Sequence, residues 1–94
     1  MQMQLEERIM TKPLTYKEFF EEFNTASFDY YAFRSTIAPA KIVDRETDEE
    51  AAHLCDNCWL FFGYPAFEGE ELNLMARLAA TSPELRGEHN NDQN

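Results

Sequence analysis

Tyr16, Phe19, Phe20 and Phe23 recur at three- and four-residue intervals with Lys17, Glu18, Glu21 and Glu22 between them, the pattern of an amphipathic helix with an aromatic face. Thr15 and Glu18 stand at capping-box spacing, in which each side chain accepts from the other residue's unpaired backbone N–H, so the helix opens at Tyr16. Pro13 keeps the preceding chain extended, and Asn24 is a stop. Residues 25–43 have no single period. Ser27 can cap a short helix that gathers Phe28, Tyr31, Ala32 and Ser35, which turns Tyr30 or Phe33 outward; the aromatic and β-branched composition of 28–37 equally suits a strand. We favour the helix. Residues 37–43, with Pro39, read as an extended connection packed through Ile37, Ile42 and Val43.

The strongest periodicity lies further on. Ala51, Leu54, Cys55, Cys58 and Phe62 follow an i, i+3, i+4, i+7, i+11 pattern, and Thr47 with Glu50 repeats the capping-box spacing. This predicts a central core helix over residues 48–62, ended by Gly63 and Pro65. A further helix is expected from Gly69 or Glu70 to Ala80, with Leu72, Leu74, Met75, Leu78 and Ala79 inward, followed by one turn at Ser82-Pro83-Glu84. The expected fold is therefore a compact all-α bundle of three to four short helices, with an α+β variant if residues 28–37 form a strand. Residues 1–12 read as a leader, 13–85 as one helical domain, and 86–94, which contain no apolar residue, as a disordered tail.

Charge narrows the function. The 94 residues carry 18 acids and 8 bases, a net charge of -10, which leaves no basic stripe for direct contact with nucleic acid. With 44% hydrophobic residues the chain should nonetheless fold around a core. The N-terminus has no signal-peptide pattern, and the longest apolar run, residues 58–67, is too short and too broken to span a bilayer, so a cytoplasmic protein without membrane contact is expected. Residues 1–43 hold six acids and five bases, whereas residues 44–94 hold twelve and three, so the acidity is regional. Asp44, Glu46, Asp48, Glu49, Glu50, Asp56, Glu68, Glu70 and Glu71 are accompanied in their block only by Arg45. Five of these fall in expected first helical turns, where acids complement the helix dipole; Asp44, Glu46, Asp56 and Glu68 do not.

Specific chemistry is sparse. His53, Cys55 and Cys58 invite a metal or redox reading, but on a helix His53 lies about 200° around from Cys55, and the only other histidine, His89, is in the expected tail. The cysteines are therefore expected in the core, with no metal and no cofactor. Phe19, Phe20, Phe23, Trp59, Phe61, Phe62, Tyr64 and Phe67 are expected to pack with them. No phosphate-binding glycine loop, nucleophile elbow or zinc-protease motif is present, so no enzyme is expected. The leading expectation is a small acidic interaction protein that inhibits or modulates a basic partner, such as a nucleic-acid-handling enzyme or a nuclease, by charge mimicry. The nine acids are its candidate contacts, with Leu60, which falls opposite the buried arc of the expected helix, as an apolar one. One alternative is a homo-oligomeric assembly protein with an apolar interface of Leu60 and the Tyr30/Phe33 side; another is a metal or redox module at Cys55 and Cys58.

Overall fold

The computed structural model describes residues 13–87. The expectations for the leader, and for the tail beyond Gly87, lie outside these residues. The fold is α+β, which corrects the all-α expectation: two helices pack on one face of a four-stranded antiparallel sheet. Helix α1 spans Tyr16–Ala26, strands β1 to β4 span Tyr30–Phe33, Lys41–Asp44, Glu50–Cys55 and Cys58–Phe61, and helix α2 spans Gly69–Ala80, followed by a 3-10 turn at Pro83–Arg86. The strands form a simple meander in the order β1-β2-β3-β4.

The first and last expected helices form, with two departures: α1 runs past Asn24, the expected stop, to Ala26, and Leu72, expected inward on α2, is exposed. In α1 the Thr15 hydroxyl accepts from Glu18 N–H at 3.1 Å and the Glu18 carboxylate accepts from Thr15 N–H at 3.0 Å, while Tyr16, Phe19 and Phe23 are buried. Helix α2 buries Leu74, Met75 and Leu78. Leu14 N–H donates to Thr81 Oγ1 at 2.9 Å, tying the chain before α1 to the end of α2.

The expected core helix over 48–62 is a β-hairpin. Cys55 pairs directly with Cys58, so Asp56 and Asn57 form a two-residue turn, and Asp56 takes the left-handed conformation (φ 59°). A register shift between Ile42 and Val43 places Ala51 as an extra residue in β3, and Ala51 and Ala52 are both buried. That bulge breaks strict alternation and leaves apolar spacings that mimic a helix. The same misreading placed Thr47 at a helix cap; its hydroxyl instead accepts from Glu49 N–H at 3.2 Å inside the β2–β3 connection. The short helix favoured within 28–35 is strand β1, and Tyr30 is buried while Tyr31 is exposed. Ile37 is exposed, not packed.

The side of the sheet toward the helices carries Tyr30, Ala32, Ile42, Ala52, Leu54 and Trp59, closed by Phe19 and Phe23 from α1 and Met75 and Leu78 from α2. Phe67 joins this core at its edge, 4.5 Å from the Tyr30 ring and 6.3 Å from Phe23. Of the aromatics expected to pack together, Phe61 and Phe62 are exposed and Tyr64 is fully so. Arg86, assigned from the sequence to a tail, is only 2% exposed. Among the described residues no helix is long and apolar enough to cross a membrane.

Candidate functional site

The topology sorts the acids. Tyr30 pairs with Asp44 and Val43 with Glu50, so the start of β1, the end of β2 and the start of β3 share one end of the sheet. The Ser27 hydroxyl, just after α1, donates to the Glu71 carboxylate in the first turn of α2, which brings the end of one helix and the start of the other to that same end. Four separate segments thus meet there: the last turns of α1, the entry to β1, the β2–β3 connection and the start of α2.

Phe28 and Asp29 lie at the centre. They line one depression with Asp44, Arg45 and Glu46, and a second with Glu68, Glu70 and Glu71. Glu70 also borders a third with Glu21 and Glu22, and Asp44 a fourth with Glu49, Glu50 and Tyr64. Phe28 is 92% exposed and Tyr64 102%, so two aromatic rings project from an acidic rim.

Arg45, the one base at this end among the described residues, is exposed but directs its donors to backbone carbonyls. Its Nε donates to Tyr30 O at 2.9 Å and its Nη2 to Asn24 O at 2.9 Å and Ser27 O at 3.3 Å, and its guanidinium lies 5.4 Å from the Tyr31 ring centroid. It ties three chain segments together and forms no ion pair with a described carboxylate.

Not every acid named from the sequence belongs to this surface. Asp56 occupies the β3–β4 turn at the far end of the sheet. Glu71 is 6% exposed, and its carboxylate also accepts from Glu68 N–H at 2.6 Å, so it holds α2 to the chain at Ser27. Asp44 accepts from the N–H groups of Glu46 and Thr47 at 2.7 and 3.0 Å, shaping the turn. Glu50 points to the helix-free side of the sheet, its Oε2 2.7 Å from His53 Nδ1 and its Oε1 4.0 Å from Lys41 Nζ. Glu46, Asp48, Glu49, Glu68 and Glu70 remain as exposed acids from the original set. The fold adds Glu21, Glu22 and Asp29, which lie in the half that charge counting had set aside as balanced. A charge count by sequence position holds no signal for them; the expected helix over 28–35 would have needed to be a strand.

Leu60 is 43% exposed on the helix-free side, away from the acidic rim, and on a different surface from the candidate contacts it was grouped with. The cysteines are not core residues: Cys55 and Cys58 are both exposed free thiols flanking the hairpin turn, and Cys58 Sγ donates to Cys55 O at 3.5 Å. Because β3 is a strand, His53 and Cys55 share a face, which removes the helical argument against a joint site. Even so, no three His, Cys, Asp or Glu side chains among the described residues are grouped closely enough to hold a metal ion. Replacing both cysteines by serine is expected to change stability by less than about 0.5 kcal/mol in chemical denaturation, since neither thiol fills a cavity. A loss above about 2 kcal/mol would show that they are packed.

No protein-family model, no curated protein and no solved structure matches this chain.

Proposed function

We propose that this chain is a non-enzymatic interaction protein whose acidic end, centred on Phe28 and Asp29, docks on a basic protein surface and so inhibits or modulates its bearer. The observation that carries the reading is convergence. Carboxylates from four chain segments meet at one end of the domain, while Arg45, the base among them, spends its donors on backbone carbonyls. Helix-dipole compensation accounts for Glu70 in the first turn of α2 but not for Glu21 and Glu22 in α1, Asp29 before β1, or Glu46 and Glu49 in a turn. A fixed array of carboxylates around exposed aromatic rings presents to a cationic groove what a nucleic acid presents, negative oxygens flanking flat apolar rings. A nucleic-acid-handling enzyme or nuclease is accordingly the partner class this end suits. The two exposed free thiols fit a reducing interior, and we place the protein in the cytoplasm.

The reading is tested by capture of partners on the immobilised chain at low and high salt, followed by competition with duplex DNA for the captured protein. The expected partner is basic, is released as salt rises and screens the carboxylates, and binds the chain and DNA in a mutually exclusive manner. A partner held equally at high salt, or one that binds DNA and the chain together, contradicts the reading.

A further inference from the structure

The two edges of the sheet are built differently. At β1 the Asn24 side chain, from α1, acts as a one-residue strand: its Nδ2 donates to Ala32 O at 2.9 Å and its Oδ1 accepts from Ala32 N–H at 2.7 Å. That edge is thereby closed to another chain at its centre. At β4 no such device exists among the described residues, and no strand pairs with its outer side. Cys58 closes the hairpin against Cys55, and Phe62 N–H reaches Ala51 O at 3.0 Å. By the alternation of an antiparallel ladder, Cys58, Leu60 and Phe62 therefore turn their backbone groups toward β3, and Trp59 and Phe61 turn theirs outward. Residues 58–64 contain no charge, and Leu60, Phe61 and Phe62 are all exposed. An apolar strand edge with free donors and acceptors is a template for a further strand.

We propose that β4 pairs with β4 of a second copy, giving a two-fold dimer with a continuous eight-stranded sheet. Three observations select this occupant. In a protein of net charge -10, copies repel, and the uncharged β4 edge is where two can approach without opposing carboxylates. The closed β1 edge prevents head-to-tail β1–β4 addition, so pairing ends at a dimer and does not run on as a filament. The register is also determined. The outward groups of Trp59 and Phe61 exchange hydrogen bonds with those of Phe61 and Trp59 in the second copy only if the axis passes through Leu60. A register centred on Phe61 would need Gly63, which has left the extended region (φ 69°), and one centred on Trp59 would need the hairpin turn. Leu60 then faces its own copy in a non-hydrogen-bonded pair, the closer of the two kinds, on the helix-free side of the sheet.

Sedimentation equilibrium from micromolar to millimolar concentration should give twice the 11.0 kDa chain mass at the upper end. Leu60→Lys, which sets two ammonium groups against each other at the axis, should give the single-chain mass throughout, with its circular dichroism unchanged. An independent variant needs no dissociation: in a Cys55→Ser, Cys58→Ser background, Leu60→Cys should cross-link almost completely under mild oxidation, because Cα atoms of such a pair lie about 4.5 Å apart, within disulfide range. Leu72→Cys, exposed on α2, should not. A monomer at every concentration overturns the proposal. So does a chain that dimerises only after residues 1–12 are deleted, which would assign the edge to that segment, or a dimer that survives Leu60→Lys.

Discussion

Arg86→Ala is expected to cost about 3–5 kcal/mol, enough to remove a large part of the stability of a domain this size, which at typical values is about 4–12 kcal/mol in total. The guanidinium is buried with no described carboxylate beside it, in a chain rich in them. Its partners are carbonyls at and just past the end of α2: Nε donates to Leu78 O at 3.1 Å, which also accepts from Thr81 N–H, and to Thr81 O at 2.9 Å, and Nη2 donates to Ala79 O at 3.3 Å. Nη1 reaches the Tyr16 hydroxyl at 3.3 Å, and Nη2 approaches Asn57 Oδ1 at 3.5 Å, so one side chain connects the start of α1, the end of α2 and the β3–β4 turn. The negative end of the helix dipole takes the place of a counter-ion.

Controls separate the contributions. Arg86→Met keeps most of the volume but removes the donors to the Ala79 and Thr81 carbonyls, so it should cost nearly as much as alanine. Arg86→Lys keeps the charge but lacks the planar fork that serves several acceptors at once, and should recover about half. Urea unfolding followed by the fluorescence of Trp59, the single tryptophan, reads all three, with an expected midpoint shift of about 2–4 M for alanine. A shift below about 0.5 M would show that water replaces the guanidinium without loss, and the account of this residue would be wrong.

The helices were legible because their signals are local. Thr15 and Glu18 announce α1 three residues apart, and Leu74, Met75 and Leu78 define an arc that needs only α2 itself to be read. Strands β3 and β4 were misread because what defines them is not local. The bulge at Ala51 exists only against β2, and it shifts the apolar positions from a period of two to spacings that also fit a helix. One local signal did point the other way: Asp56-Asn57 between β-prone runs is hairpin chemistry, and Trp59, Leu60, Phe61 and Phe62 in succession suit a strand better than an arc. The acidic end was half legible for the same reason. Counting along the chain finds Glu46, Glu49, Glu68 and Glu70, but only the contact between Ser27 and Glu71 and the pairing of Tyr30 with Asp44 bring in Glu21, Glu22 and Asp29 and take Asp56 out. Arg86 was misplaced because a single arginine before a polar tail looks solvated until the helix end it caps is in place.

Reversing Asp29, Glu46, Glu49 and Glu70 to lysine is expected to slow association with the basic partner by about 100-fold or more, with the fold retained. None of these four side chains is seen to hold the structure together, unlike Asp44, Glu50 and Glu71, so the change acts on the field and not on the frame. The aromatic rings should behave differently. Phe28→Ala and Tyr64→Ala leave the charge untouched and should raise the dissociation rate, weakening affinity by about 10- to 30-fold each if the rings are anchors that become buried on binding. Stopped-flow association and surface-immobilised dissociation measurements at two ionic strengths distinguish the two effects, since only the charge reversals should flatten the salt dependence of the on-rate. The decisive comparison is Asp56→Lys. It alters the net charge as much as any one of the four, but sits in the β3–β4 turn at the other end of the sheet. If net charge alone attracts the partner, Asp56→Lys slows association as much as Asp29→Lys does, and the acidic end has no special role. If the end is the docking surface, Asp56→Lys leaves the rate nearly unchanged, because at physiological salt a charge more than about 8 Å from the contact is largely screened.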